Sequence, residues 1–343
     1  MTFRIGAVIV TGLCLIVLVV LLVATKDTSS FGPVAENPAK PAPFRKVVWV
    51  DSYHEGYAWS DGIERGLRGA MKAAHVDLKI IRLDAKRQPA EETCKAIALA
   101  AKAEIDAWQP DVIIASDDHA QKYLIVPYYR DGRIPVIFCG VNWSAAEYGY
   151  PTANVTGMVE VDLVRPLVEH LKRYASGTRV AYFAVDDLTE RKLYAEHNKR
   201  FFDGKMLCFL APAHTFASYC ETFLKAQEAA DMVLISNNAG VADWNDTAAE
   251  EFFRTYTAKP TGAINSWMTG YALVTFCKLP EEQGEWAMQT AQRILGGITP
   301  SAIPLTENRK GRLIINMDIA EHLNVVFTAD IMKNAENHRS SQR

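Results

Sequence analysis

Apolar residues in this chain gather in short, β-branched runs separated by longer stretches whose apolar positions recur three and four apart. Lys46–Asp51, Leu78–Leu83, Val112–Ser116 and Pro135–Cys139 form a first series of runs. Arg179–Val185, Met206–Ala211, Met232–Ser236 and Thr261–Asn265 form a second. Continuous apolar runs of this length fit strands covered on both faces, as in parallel sheets. Between them Asp61–Ala74, Ala90–Trp108, Leu163–Tyr174 and Thr189–Phe202 have helical spacing, with Ala96, Ala100, Ala103 and Ala107 on one face. The strand–helix alternation predicts an α/β fold of parallel sheets with right-handed crossovers. Because it runs twice, two lobes are expected, with Asn154–Val161 as an extended crossover between them. Ser60 reads as an N-cap with Glu64 in capping-box position, and Asp187 and Thr189 are also cap-like.

The N-terminus has a different pattern. Arg4 precedes an apolar stretch, Ile5–Val23, interrupted only by Thr11 and Gly12. It is longer than a usual signal-peptide core of about 7–15 residues, and no clean A-x-A site follows. Residues 1–25 are therefore expected to be a signal anchor or signal peptide, with the anchor favoured. The charge asymmetry puts the N-terminus in the cytoplasm and the bulk of the chain outside. Residues 26–43, rich in Ser, Pro, Ala and Lys, read as a linker.

Composition narrows the functional classes. The chain has 343 residues, 49% of them hydrophobic, which is enough for two cored lobes. A net charge of −3 without a basic block excludes the electrostatic footprint of a nucleic-acid binder. Of the six cysteines, Cys94, Cys139, Cys208 and Cys277 lie in regular apolar or helical runs and are expected to be small buried hydrophobes. No Cys/His ligand spacing, G-x-S-x-G, H-E-x-x-H or P-loop is present, so no metal, cofactor or catalytic residue is assigned.

Ligands of open α/β sheets bind beyond the carboxyl ends of the strands. That rule selects Tyr53, His54, Tyr57 and Trp59 after the first run, and Ser116, Asp117 and Asp118 after the third. It selects Asn142 and Trp143 after the fourth, and Asp186, Asn237, Asn238, Asn265 and Trp267 in the second series. Glu160, in the crossover, joins them as a carboxylate able to meet a cationic group. Small-solute sites combine a few placed polar groups with aromatic walls, and this set supplies both. Asp, Asn and Ser also serve as ordinary turn residues, so the collective pattern carries more weight than any member. Asp117 and Asp118, being adjacent, are expected to point different ways.

The segment Val50-Asp51-Ser52-Tyr53-His54-Glu55-Gly56-Tyr57-Ala58-Trp59-Ser60, running into Gly62-Ile63-Glu64-Arg65-Gly66, resembles the first strand and helix of ABC-transporter substrate-binding proteins. More narrowly, it is similar to the periplasmic sensor domains of bacterial histidine kinases and diguanylate cyclases. Trp286–Gly297, Pro300, Ile303-Pro304, Leu313–Asn316, Ala320 and Leu323 resemble that family's closing helix, strand and helix. The resemblance implies a two-lobed type I periplasmic-binding fold over roughly residues 45–335. It implies that the helix near Glu281–Leu295 returns to the first lobe and the strand near Leu313–Asn316 joins the second. The expected division is 44–156 with 278–303 for lobe 1, 157–277 with 304–335 for lobe 2, and a polar tail at 336–343. The family's small hydroxyl-bearing loop after the third strand is replaced by Ser116-Asp117-Asp118-His119, a departure that bears on any ligand carboxylate.

The expected function is extracytoplasmic capture of a small polar or aromatic, amino-acid-like solute between the lobes, for an ABC permease. The first alternative is a membrane-anchored accessory that reports ligand status to a signalling partner. The second is an enzyme on a doubly wound fold, which needs a convergent base and nucleophile, with His54 and Asp117 or Asp118 as the candidates.

Overall fold

A computed structural model describes residues 44–71, 76–212 and 214–340. The first half of the chain forms β1 (Arg45–Asp51), α1 (Ala58–Met71), β2 (Val76–Arg82), α2 (Glu91–Trp108) and β3 (Val112–Ser116). After the short α3 (Asp117–Ala120) and α4 (Val126–Tyr128) come β4 (Val136–Asn142) and β5 (Val155–Glu160). The second series is α5 (Val164–Leu171), β6 (Val180–Val185), α6 (Leu188–Phe201), β7 (Leu207–Ala211) and α7 (Phe216–Ala229). It continues through β8 (Met232–Ile235), α8 (Asp246–Tyr256), β9 (Thr261–Ala263) and β10 (Val274–Lys278). The chain closes with α9 (Pro280–Leu295), β11 (Thr306–Glu307), β12 (Gly311–Asn316), α10 (Met317–His322), α11 (Ala329–Asn334) and β13 (Glu336–His338).

The strands form two sheets, one per lobe. The first has the order β11-β5-β4-β3-β1-β2 and is parallel throughout. The second runs β13-β12-β10-β9-β8-β6-β7 and is parallel except where β12 meets β10. The burial pattern follows the apolar runs: β3 and β6 are buried at every position. Parallel strands need such two-sided cover, because their crossover helices occupy both faces.

The helix α9 packs on α1 against the first sheet, burying Ile63, Leu67, Ala287, Met288 and Ala291 with Val47 and Trp49. The approach is close enough to require glycine. A β-carbon on Gly66 would lie 2.1 Å from the Glu281 carbonyl oxygen, and one on Gly284 would lie 2.0 Å from that of Ile63. The Gly62-x-x-x-Gly66 spacing puts both glycines on the face of α1 that meets α9.

The structure corrects several expectations. The segment expected to be a crossover is largely β5, paired with β4 and β11, so the first sheet extends to Glu160 instead of ending at 156. Residues 306–307, expected in lobe 2, pair there as β11. Residues 336–338 of the expected polar tail form the edge strand β13 on β12. Helix α1 begins at Ala58, so Ser60 is not a cap; it is buried and donates to Asp51 at 2.7 Å. Glu64 forms no capping box and pairs with Arg68 and Arg82. Asp187 does cap α6 by accepting from the Glu190 amide, and Thr189 lies within the helix. Cys94, Cys139 and Cys277 are buried, whereas Cys208 is exposed on the edge strand β7. The apolar stretch Ile5–Val23 lies outside the described residues. Among the described residues no helix is long and apolar enough to cross a membrane.

Candidate functional site

A cavity of about 630 Å³ opens where the carboxyl ends of strands from the two sheets face each other. The volume falls inside the range of about 300–1,000 Å³ typical of small-molecule sites. From the first sheet it is lined by Tyr53, Tyr57, Trp59, Asp117, Asn142 and Glu160. From the second come Asn265, Ser266 and Trp267, and Lys278, Leu279 and Pro280 cross between them.

Its first-sheet wall rests on a buried ionic frame. Asp51, fully buried at the end of β1, accepts from Arg82 at 2.6 Å, from the Ser60 hydroxyl and from the Tyr53 amide at 3.1 Å. Arg82 also donates to Glu64 at 2.6 Å, tying β2 to α1. A buried carboxylate is tolerable only when paired and hydrogen-bonded in this way. The frame sets the turn that carries Tyr53 and Tyr57, whose rings meet edge-on at 5.1 Å. The Lys86 ammonium lies over both rings, 4.8 and 5.1 Å from their centroids.

Asp117 forms the floor. It follows β3 directly and has a φ of 65°, a left-handed conformation that few non-glycine residues adopt. Its Oδ1 accepts from the Trp59 indole at 3.0 Å. Its Oδ2 is buried and has no hydrogen-bond partner. Burial, reinforced by the Glu160 and Asp51 carboxylates, holds the Asp117 carboxyl well above the usual carboxylate range. Space for this side chain comes from Gly140. That residue sits at φ 69° where the β4–β5 register slips, and a β-carbon on it would lie 2.9 Å from Asp117 Oδ1. The Gly140 amide is held by the side-chain oxygen of Gln283 on α9, at 3.0 Å.

Glu160 stands beside the floor and is already met by a cation. The Lys278 ammonium pairs with Glu160 and, at 2.8 Å, with Asp162, while Asp162 also contacts His197 Nε2 at 3.0 Å. Burial raises the Glu160 carboxyl, and Lys278 only partly offsets it. Burial opposes ionisation of Asp162 as well, but Lys278 and His197 outweigh it and hold that carboxyl below its usual range. The two carboxylates in turn outweigh the burial of Lys278 and hold its ammonium above its usual range. This cluster joins the ends of β5 and β10 to α6, where the chain passes between the sheets.

The remaining sequence candidates lie outside the cavity lining. His54 faces Asp84, with 3.6 Å between Nδ1 and the carboxylate. The Ser116 hydroxyl accepts from the Trp49 indole inside the sheet. Asp118, pointing away from Asp117, accepts from Asn142 at 2.8 Å and from the Tyr148 hydroxyl at 2.7 Å. Trp143 leaves the cavity for α6, packing edge-on to His197 at 5.3 Å beneath Arg200. Asp186 is clamped by both guanidinium arms of Arg191, at 2.6 and 2.8 Å. Asn237 closes its own turn by accepting from the Ala239 amide, and the Asn238 carbonyl accepts from Val241.

Sequence reasoning also missed lining residues: Lys86, Lys278, Arg65 and Arg312. Lys278 was within reach. It ends β10, a run the apolar pattern leaves unmarked because Thr275 and Lys278 interrupt it. Arg65 and Lys86 carry no such signal, because each sits in a helix or loop position where a surface cation is ordinary.

No protein-family model matches the sequence, and no curated protein does either. Solved structures do match. A ligand-free, open substrate-binding protein with adhesive properties from Clostridium difficile superposes with a TM-score of 0.65 over 87% of this chain and 100% of its own, at 15% identity. The fold is that of ABC-transporter substrate-binding proteins. An ABC domain from Streptococcus pneumonia in complex with L-Trp gives 0.52 at 13% identity, over 85% of this chain and 99% of its own. An ABC-transporter solute-binding protein from Bradyrhizobium sp. BTAi1 with bound bis-tris gives 0.52 at 16%, over 82% and 85%. The type I periplasmic-binding architecture implied by the Val50–Gly66 resemblance is thus present in three dimensions.

Proposed function

We propose that this protein is an extracytoplasmic solute-binding protein that closes its two lobes on a small polar or aromatic, amino-acid-like solute and presents the closed form to an ABC permease. The observation that carries the reading is the cavity itself. It lies at the carboxyl ends of both sheets, and aromatic rings and polar groups from each contribute to its wall. Binding would shift a pre-existing balance toward the closed form by the ligand's differential affinity for it. Among the similar structures, the Streptococcus protein holds L-Trp and the Bradyrhizobium protein bis-tris. The fold therefore accommodates unlike solutes, and selectivity comes from this chain's own cavity. The reading involves no bond chemistry. His54, the candidate base, lies outside the cavity lining with its imidazole toward Asp84.

The test is a melting-temperature screen of the full chain in mild detergent against amino acids, amines and nucleosides. At least one class is expected to raise the midpoint by mass action. If none does, while a protein partner does, the solute-binding reading fails.

One sequence feature favours a second reading of the output. The length of Ile5–Val23 suits a retained inner-membrane anchor, which would keep the protein beside a membrane sensor instead of releasing it to the periplasm. N-terminal sequencing of the native protein decides. A start at Met1 supports the anchored accessory, and a start near Thr25 supports free transport.

A further inference from the structure

We infer that the cavity selects its solute by a protonated amine, seated on the unpaired Oδ2 of Asp117 beside Tyr53 and Trp59. The inference rests on the solute-binding reading and names the class of solute.

Asp117 is 2% exposed and lines the cavity, yet one of its oxygens has no partner. Leaving a buried carboxylate oxygen unpaired is costly, so such a group in a cavity wall marks where a donor is to be supplied from outside. The neighbouring cations do not supply it. Lys278 is taken by Glu160 and Asp162, Arg65 by Glu281 at 2.6 Å, Lys86 by the faces of Tyr53 and Tyr57, and Arg312 faces Glu336 at 3.9 Å. The position of Lys86 shows that these ring faces accept a cation, as the electron-rich faces of aromatic rings do. Trp59 holds Oδ1 by its indole N–H, which leaves Oδ2, buried in the cavity wall, as the oxygen still without a donor. Burial among Glu160, Asp51 and Asp118 disfavours the ionised form of Asp117; an ammonium on Oδ2 relieves this, a carboxylate or phosphate adds to it, and a neutral hydroxyl brings no positive charge. The backbone agrees: Asp117 holds a left-handed conformation and Gly140 clears the space it fills.

The experiment uses the full chain with defined probes: tyramine, putrescine, 4-hydroxyphenylacetate and L-arabinose, read by melting temperature and calorimetric titration. Tyramine and putrescine are expected to bind and the other two are not. Asp117→Asn should weaken tyramine by about ten- to hundredfold, the value of one charge-assisted hydrogen bond. Asp186→Asn, a strand-end carboxylate outside the cavity, should leave it unchanged. N,N,N-trimethyltyramine, which keeps the charge but has no N–H for Oδ2, should bind the unaltered protein at least about tenfold more weakly; this arm needs no variant to fold. Binding of arabinose or 4-hydroxyphenylacetate without the amines overturns the amine inference and leaves solute binding standing. So does undiminished tyramine binding by Asp117→Asn or by the quaternised analogue. If no solute of any class binds, the solute-binding reading falls, and the inference with it.

Discussion

Asp117 and Asp186 occupy matching places, each just beyond a strand of its sheet, and their environments are opposite. Asp186 is half-buried and clamped by Arg191 from the same loop–helix junction. Asp117 is buried, keeps one oxygen unpaired and is surrounded by other acids. The same contrast runs through the two sets of strand ends. In the second sheet Asn237 and Asn238 satisfy their own turns, and the cavity is reached instead by the Ile264–Trp267 stretch and by residues of β10 and β12. In the first sheet a buried frame of Asp51, Arg82 and Ser60 supports Tyr53, Trp59 and Asp117. Polar residues at strand ends become a site when neighbouring structure positions them without consuming them.

The largest expected effect comes from removing the cation shared at the passage between sheets. Lys278→Met strands Glu160 and Asp162 without their ammonium, and breaking such a buried pair costs about 3–5 kcal/mol. Urea unfolding should show it as a fall in midpoint at unchanged slope; a loss under 1 kcal/mol (on the order of a surface pair) would mean that the cluster is solvated. Gly140→Ala should come next, at about 1–3 kcal/mol, because its β-carbon crowds Asp117 and its backbone is left-handed. Gly204→Ala is the matched control. Its φ is 79° with nothing within 4 Å, so it should lose only the backbone part and leave tyramine binding intact.

Asp117→Asn should raise stability even as it weakens amine binding. The carboxyl's folded pKa lies above its unfolded value, so between the two the unfolded chain has released a proton that the native state still holds. Native stability therefore falls as pH rises through that window, beginning near the unfolded value of about 4. Asn has no such loss, and the variant's advantage should grow with pH over the same window. Equal stability–pH curves for the two proteins would remove the unpaired-carboxylate argument. The groups facing Asp117 are Asp51, Asp118, Glu160, Tyr53 and Cys139, and none contributes a positive charge to offset its burial. Amine affinity should accordingly rise with pH as Asp117 ionises. The smallest effect is expected at Asp186→Asn, where a surface ion pair is lost and melting temperature should not measurably change.

Much of this was legible along the chain. The strand ends after β1, β3 and β4 were located by their apolar runs, and Tyr53, Tyr57, Trp59, Asp117, Asn142, Asn265 and Trp267 do line one cavity. Ser60 shows where local rules failed. A Ser before an acidic helical stretch is ordinarily a cap, but here the helix begins earlier and Asp51, a neighbour only in the fold, takes its hydroxyl. Cys208 and β5 failed for a related reason: apolar runs look alike whether they end at a sheet edge, lie in its middle or cross out of it.

The sequence by itself determined the alternation of strands and helices, the division into two sheets and the loops from which a site had to be built, because each follows from the spacing of apolar residues. Tertiary structure decided between adjacent or equivalent carboxylates. Asp117 and Asp118 are neighbours in the chain, yet Asn142 and Tyr148 take up one while Trp59 and the space above Gly140 turn the other into the cavity. The cation that neutralises Glu160, Lys278, is brought from a distant part of the chain. That pairing is a property of distance in space, which spacing along the chain does not encode.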